Sequence, residues 1–238
     1  MLELAFGINQ FLSEFNSWAA GQLKIWGLAP QPGDAEIAKA MESGPMSAAR
    51  FAELQKSFPD HPEIIRATAL RAIDAGNATT ARELVMRYGA LRPLDPWAYR
   101  ELVKLSAQTG QGDEAIASLE QLDRNEQLTG SWAAQLAQIH RAADQLEDAQ
   151  DAARRALMRE PYNATYRELL ATIALQRSDT NTALRQLRAL TMLEPDRAIH
   201  FQRLAALAFK VGDRETARAA AQAAKKLDPN AKVERFLE

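Results

Sequence analysis

The sequence predicts an all-α protein, a right-handed superhelical solenoid of antiparallel helix pairs preceded by one extra amphipathic helix at the N-terminus. Three observations carry that expectation. Pro59, Pro93, Pro161, Pro195 and Pro229 fall at intervals of 34, 68, 34 and 34 residues, with Gln127 at the one vacancy. Fixed residue types stand at fixed distances before each of these marks. No Val/Ile/Thr-rich alternating run of the kind a strand needs occurs anywhere in the chain.

Taken in order, residues 2–28 stand off the 34-residue ruler. Leu4, Ile8, Phe11, Phe15 and Trp18 recur at helical spacing, with Ala5, Leu12, Ala19, Leu23 and Trp26 widening the stripe and Gln10, Ser13, Glu14 and Ser17 opposite. This segment is too interrupted by polar residues to span a bilayer and lacks the basic start of a signal peptide. Because stacked repeats need their end faces covered, it is expected to cap the first hairpin. A second use of the same face, through Phe6, Phe11, Phe15, Trp18 and Trp26, is self-association or attachment to a membrane surface. The membrane version fits less well, since Lys24 is the single cation of the segment.

A degenerate unit is expected next, with Asp34–Glu42 as its first helix and Met46–Ser57, facing inward through Phe51 and Leu54, as its second. Five regular units follow. Seventeen residues before each mark stand Gly76, Gly110, Asp144, Ser178 and Gly212, all turn formers that separate two helices. Twelve before stand Ala81, Ala115, Ala149, Ala183 and Ala217; twenty-four before stand Ala69, Val103, Ala137, Ala171 and Ala205. Small residues at these two points let two helix backbones approach closely. In the last unit Phe201, Leu204, Ala205 and Ala208 share one helical face, Gly212-Asp213 ends that helix and caps the next, and Pro229 stops the second. The expected organisation is residues 1–33 as terminal helix and linker and 34–231 as the array. The array divides into 34–61, 62–95, 96–129, 130–163, 164–197 and 198–231, and 232–238 starts a C-terminal cap. That last stretch, with Val233, Phe236 and Leu237 apolar, reads either as a minimal cap or as the beginning of a further helix.

The 34-residue helix-turn-helix period, the paired small residues and the closing proline resemble the tetratricopeptide repeat, or TPR. The resemblance covers about residues 62–230 and is weakest over 96–129, where Gln127 replaces the proline; the usual first-helix aromatic survives only as Tyr99 and Phe201. It implies a non-enzymatic scaffold or adaptor that binds a peptide or another protein in a concave groove lined by the first helix of each repeat. The groove positions include Glu63, Arg66, Trp97, Arg100, Lys104, Ser131, Ala134, Gln138 and Arg141; the candidate partner-binding residues among them are Arg66, Trp97, Arg100, Lys104, Gln138 and Arg141, mostly basic with an exposed tryptophan. Arg and Trp are enriched at binding hot spots and Arg suits carboxylates, so an acidic segment is the expected ligand. The Asn/Lys carboxylate clamp of chaperone-binding members is missing at these positions, which disfavours heat-shock C-terminal tails.

Composition narrows the alternatives. A net charge of −2 argues against bulk attraction to nucleic acid, and no cysteine is present for a disulfide, thiolate metal site or cysteine nucleophile. The three histidines, His61, His140 and His200, have no partner at metal-ligand spacing, so neither metal nor cofactor is expected. His140 reads as a packed or hydrogen-bonded histidine on an inward position. The glycines of residues 109–115, TGQGDEA, belong to a repeat turn and follow no strand, so they do not read as a phosphate loop. Asn77-Ala78-Thr79 and Asn163-Ala164-Thr165 match glycosylation sequons but fall at turns where Asn is expected anyway. With no signal or spanning segment read in the chain, a cytoplasmic location is slightly favoured.

Overall fold

A computed structural model describes residues 2–42 and 46–237, with side chains from Ile8 onward except Asn9. All described secondary structure is helical. The contacts group the chain into two compact units, Met1–Asn125 and Glu126–Glu238.

The first unit contains α1 (Leu2–Ile25), α2 (Asp34–Glu42), α3 (Ala48–Ser57), α4 (Pro62–Asp74), α5 (Ala78–Leu91), α6 (Pro96–Gln108) and α7 (Gly112–Asn125). The second contains α8 (Ser131–Ala142), α9 (Leu146–Arg159), α10 (Ala164–Gln176), α11 (Thr180–Leu193), α12 (Ala198–Lys210) and α13 (Arg214–Leu227), then a 3-10 turn over Glu234–Phe236. From α4 onward, each pair of consecutive helices within a repeat is an antiparallel hairpin.

One backbone device makes all five hairpin turns. Gly76, Gly110, Asp144, Ser178 and Gly212 have φ of 72°, 74°, 59°, 61° and 84°. The residue after each donates its N–H five residues back: Asn77 to Ala72, Gln111 to Ser106, Gln145 to His140, Asp179 to Ala174 and Asp213 to Ala208, at 2.7–2.9 Å. That is a helix end closed by a left-handed residue, satisfying a carbonyl that the helix leaves open. Asn77, Asp179 and Asp213 then cap the following helix, accepting the N–H of Thr80, Thr182 and Thr216. At the other end, the residue before each ruler proline has left the helical region, with φ between −128° and −136°. The proline ring imposes this on its predecessor.

The close-contact alanines are where the hairpins touch. Ala69, Ala81, Ala137, Ala149, Ala171, Ala183, Ala205 and Ala217 are fully buried. The repeat with Val103 and Ala115 differs. Both are half-buried, and Leu119 and Leu122 fill the interior of that hairpin instead. There α5, α6 and α7 are also joined by polar contacts: Glu114 Oε2 accepts from Arg82 Nη1 at 2.6 Å and from Ser106 Oγ at 2.9 Å.

The helix α1 does not make the expected cap contact. Phe11, Phe15 and Trp18 are 65%, 48% and 57% exposed, and Ile8, Leu12 and Ile25 are exposed beside them. The physical reason lies in the degenerate hairpin: Ile37 of α2 and Phe51 and Leu54 of α3 already bury Ile64, so the flank of the first regular hairpin is covered without α1. The chain comes close to the hairpins just past the end of α1. Gly27, at φ 71°, closes the helix, and a Cβ there would lie 2.0 Å from the Leu91 carbonyl oxygen and 3.1 Å from Pro93. The Phe6 side chain lies outside the described residues, and Trp26 is 39% exposed. At the other terminus, Val233 and the 3-10 turn carrying Phe236 lie buried on α12 and α13, with Phe236 packed 5.3 Å from Phe209.

Candidate functional site

The first helices α4 and α6 carry four of the residues that the repeat phase assigns to the recognition face. Two of them meet. The Arg66 guanidinium lies 4.8 Å from the Trp97 ring and 5.9 Å from the Tyr88 ring, and its Nη1 stands 3.9 Å from Asp95 Oδ2. Tyr88 and Trp97 are edge to face at 5.1 Å. The Tyr88 hydroxyl donates to Asp95, whose other oxygen accepts the Trp97 N–H at 2.9 Å as the cap of α6. Burial, then the Asp95 carboxylate, push the Tyr88 phenol well above its ordinary range, so Tyr88 stays a neutral donor.

This cluster changes the role of Arg66 and Trp97. Trp97 is half-buried rather than exposed, and Arg66 already has a carboxylate and two aromatic faces as partners. Arg100 is exposed one turn along α6 from Trp97. Lys104, a further turn along, bonds Glu101 at 2.9 Å on its own helix while its side chain stays 63% exposed. The face is therefore less basic than its residue types suggest.

Sequence reasoning passed over Tyr88 and Asp95 because both lie off the first-helix face. A signal for each exists. Five residues before a mark the other repeats have Leu122, Ala156, Leu190 and Ala224, and Tyr88 is the one polar-tipped aromatic among them. Asp95-Pro96 is the cap-then-proline signature of a helix start.

A hollow was not legible either. This hollow of about 330 Å³, open to solvent, lies between α2, α3 and α4, lined by Ile37, Met41, Met46, Phe51, Glu63, Ile64, Ala67 and Arg71. Its walls are mainly apolar; the Arg71 guanidinium stands over Phe51, 3.4 Å from the ring centroid, and Glu63 supplies the acidic rim. Flexible methionine side chains suit such a site, because they repack around differently shaped groups. The degenerate unit conceals it, since its helices are short and its spacing departs from the ruler.

The remaining predicted groove residues, Gln138 and Arg141, are on α8 in the second unit, Gln138 exposed and Arg141 half-buried. Ala134, in phase with them, is only 6% exposed and packs inside that unit. Phe209, also in phase, is taken up by Phe236 and by Arg214, whose guanidinium stands 3.9 Å over its ring.

The histidines are structural in geometry. His61 caps α4: its Nδ1 accepts the Glu63 N–H, which leaves Nε2 as the N–H that donates to Asp34 at 2.8 Å. Asp34 is held below the usual carboxylate range by the Gln31 N–H and then by His61. His140 is half-buried and its Nδ1 pairs with Gln145 at 2.8 Å. His200 is fully buried with Nε2 2.6 Å from Glu194, which lowers the pKa of that carboxyl. Among the described residues, no group of three or more His, Cys, Asp or Glu is placed to hold a metal ion, and no helix is long and apolar enough to cross a membrane.

The chain matches no protein-family model and no curated protein sequence. Its fold does match solved structures. It is similar to YrrB, described as a TPR protein with an unusual peptide-binding site, at TM-score 0.55 and 16% identity over 77% of this chain and 94% of that one. It is also similar to MamA, at TM-score 0.53 and 16% identity over 71% of this chain and 92% of that one. A second MamA structure matches at TM-score 0.53 and 19% identity, over 74% and 96%. At these identities the likeness concerns the fold alone, paired antiparallel helices of the kind seen in TPR proteins.

Proposed function

From a tetratricopeptide-repeat fold, which generally serves protein–protein interaction, we propose that this chain is a non-enzymatic scaffold whose first unit binds a peptide or partner segment along α2, α4 and α6. The observation that carries the reading is a juxtaposition on α4. Its residues Glu63 and Arg71 edge an apolar, methionine-walled hollow, while Arg66, on the turn between them, stacks on Trp97. An apolar anchor side chain fits the hollow, and an acidic stretch following it meets Arg100 and Lys104 on α6. Arg66 orients Trp97 in this scheme rather than pairing with the ligand. The peptide-binding site named for YrrB supports the same kind of use for this fold.

The test is affinity capture with mass spectrometry, comparing the wild-type chain with Met41→Asp and with the Arg100→Glu/Lys104→Glu double variant. Both change exposed side chains, so helical content stays unchanged. A partner recovered by the wild type is expected to be lost with Met41→Asp and reduced several-fold by the charge reversal. Equal recovery by all three proteins overturns the reading.

A further inference from the structure

The exposed face of α1 has the geometry of a helix seam without its second helix. Ile8, Phe11, Phe15, Trp18, Gln22 and Ile25 follow one another at intervals of 3, 4, 3, 4 and 3 residues, the heptad spacing that keeps one stripe facing a parallel partner. Ile8, Phe11, Phe15, Trp18 and Ile25 are 56%, 65%, 48%, 57% and 66% exposed. Phe11 stacks on Phe15 at 6.2 Å and Phe15 leans on Trp18 at 5.8 Å, so the stripe is already ordered as a continuous aromatic ridge. Leu12 and Ala19 flank it on one side, Glu14 and Gly21 on the other.

We infer that this ridge is covered by α1 of a second copy of the chain, in a parallel, in-register coiled coil. Area is the first argument. A covered aromatic side chain removes about 150–250 Å² from water, so the half-exposed ridge together with Ile8, Leu12 and Ile25 presents on the order of 500 Å², near the upper end of what monomers leave bare. Two such faces together reach roughly 1,000 Å², the size at which specific interfaces begin.

Charge is the second argument. A helix lying on a membrane needs cations along its polar face. Here that face is Gln10, Ser13, Glu14 and Ser17, and Lys24 is the segment's single basic residue. Orientation follows from Gln22, the one polar residue of the seam. In register, its amide meets the same amide of the second copy and both are hydrogen-bonded; antiparallel, it would face the apolar end of the stripe and remain unsatisfied.

The native chain contains no cysteine, so a single introduced thiol is an unambiguous reporter. Sedimentation equilibrium of the full chain is expected to give twice the 26.3 kDa monomer mass. Phe11→Asp/Phe15→Asp should sediment as a monomer with unchanged helicity, and Ser13→Glu, on the opposite face, as a dimer. Gln22→Cys should form a covalent dimer on oxidation, because in-register positions bring the two sulfurs within bonding reach. A monomeric wild-type chain overturns the inference, and one that is monomeric but co-floats with phosphatidylserine-containing vesicles assigns the ridge to a lipid surface instead. A dimer in which Gln22→Cys fails to cross-link overturns the parallel register. The Arg100→Glu/Lys104→Glu variant should remain dimeric, which separates this result from the peptide-binding reading.

Discussion

Asp144 and Ser178 adopt the left-handed conformation that glycine adopts in the other three hairpin turns, at φ 59° and 61°. A side chain there brings Cβ against the following carbonyl, at roughly 1–2 kcal/mol per residue, with Asp partly relieved by local hydrogen bonding. Asp144→Gly and Ser178→Gly are therefore expected to stabilise the protein, each by about 0.5–1 kcal/mol after allowing for the extra freedom of glycine when unfolded. A rise in urea midpoint at constant slope checks this, with Ser178→Gly giving the larger gain. The same scale shows where reading from the chain stopped. Turn positions were legible because Gly, Asp and Ser share one physical property, tolerance of the turn. The Arg66–Tyr88–Asp95–Trp97 cluster was not, because its members come from three helices and the cap before α6, and meet only after α4, α5 and α6 pack.

At the scale of the helix, caps link stability to pH. Asp179 begins α11 and accepts from Gln150 Nε2 at 2.8 Å as well as from Thr182; these bonds favour its ionised form and hold its pKa at about 2, against an ordinary 3.8. A carboxyl whose folded pKa is lowered contributes fully above its unfolded pKa, and that contribution disappears as pH falls through the folded one. The Asp179 contribution should therefore be present at pH 5 and above and fade from about pH 4 to pH 2. Asp179→Ala should cost about 1 kcal/mol at neutral pH, the usual worth of a cap, and flatten that part of the acid limb. Thermal unfolding of both proteins across this range measures it. The bounds Asp34–Glu42 were readable in the chain, and the second helix of that unit begins at Ala48, two residues after the expected Met46, because the apolar period is local to each segment. The fate of α1 was not readable. Whether an amphipathic stripe is covered depends on what else has already covered its target, and here Ile37, Phe51 and Leu54 occupy it.

Within the second unit, whose hairpins stack through α9–α10 and α11–α12, stability is the sum of each hairpin and its neighbouring interface, so loss at an end stays near that end. In the second unit Phe236 is 5% exposed on the last hairpin. Phe236→Ala is expected to remove about 3 kcal/mol locally, and hydrogen exchange should speed up in α12 and α13 while α8 and α9 keep their protection. Uniform acceleration across the second unit would refute such end-limited fraying. The chain by itself determined the repeat length, the hairpin turns, the close-contact alanines and hence the fold, because each depends on periodicity and backbone preference local to one repeat. The tertiary structure decided which charges already have partners, that a methionine-walled hollow opens beside the degenerate hairpin, and that the aromatic ridge of α1 stands uncovered. Those outcomes depend on competition among surfaces far apart in sequence, and the one-dimensional pattern does not record which surface wins.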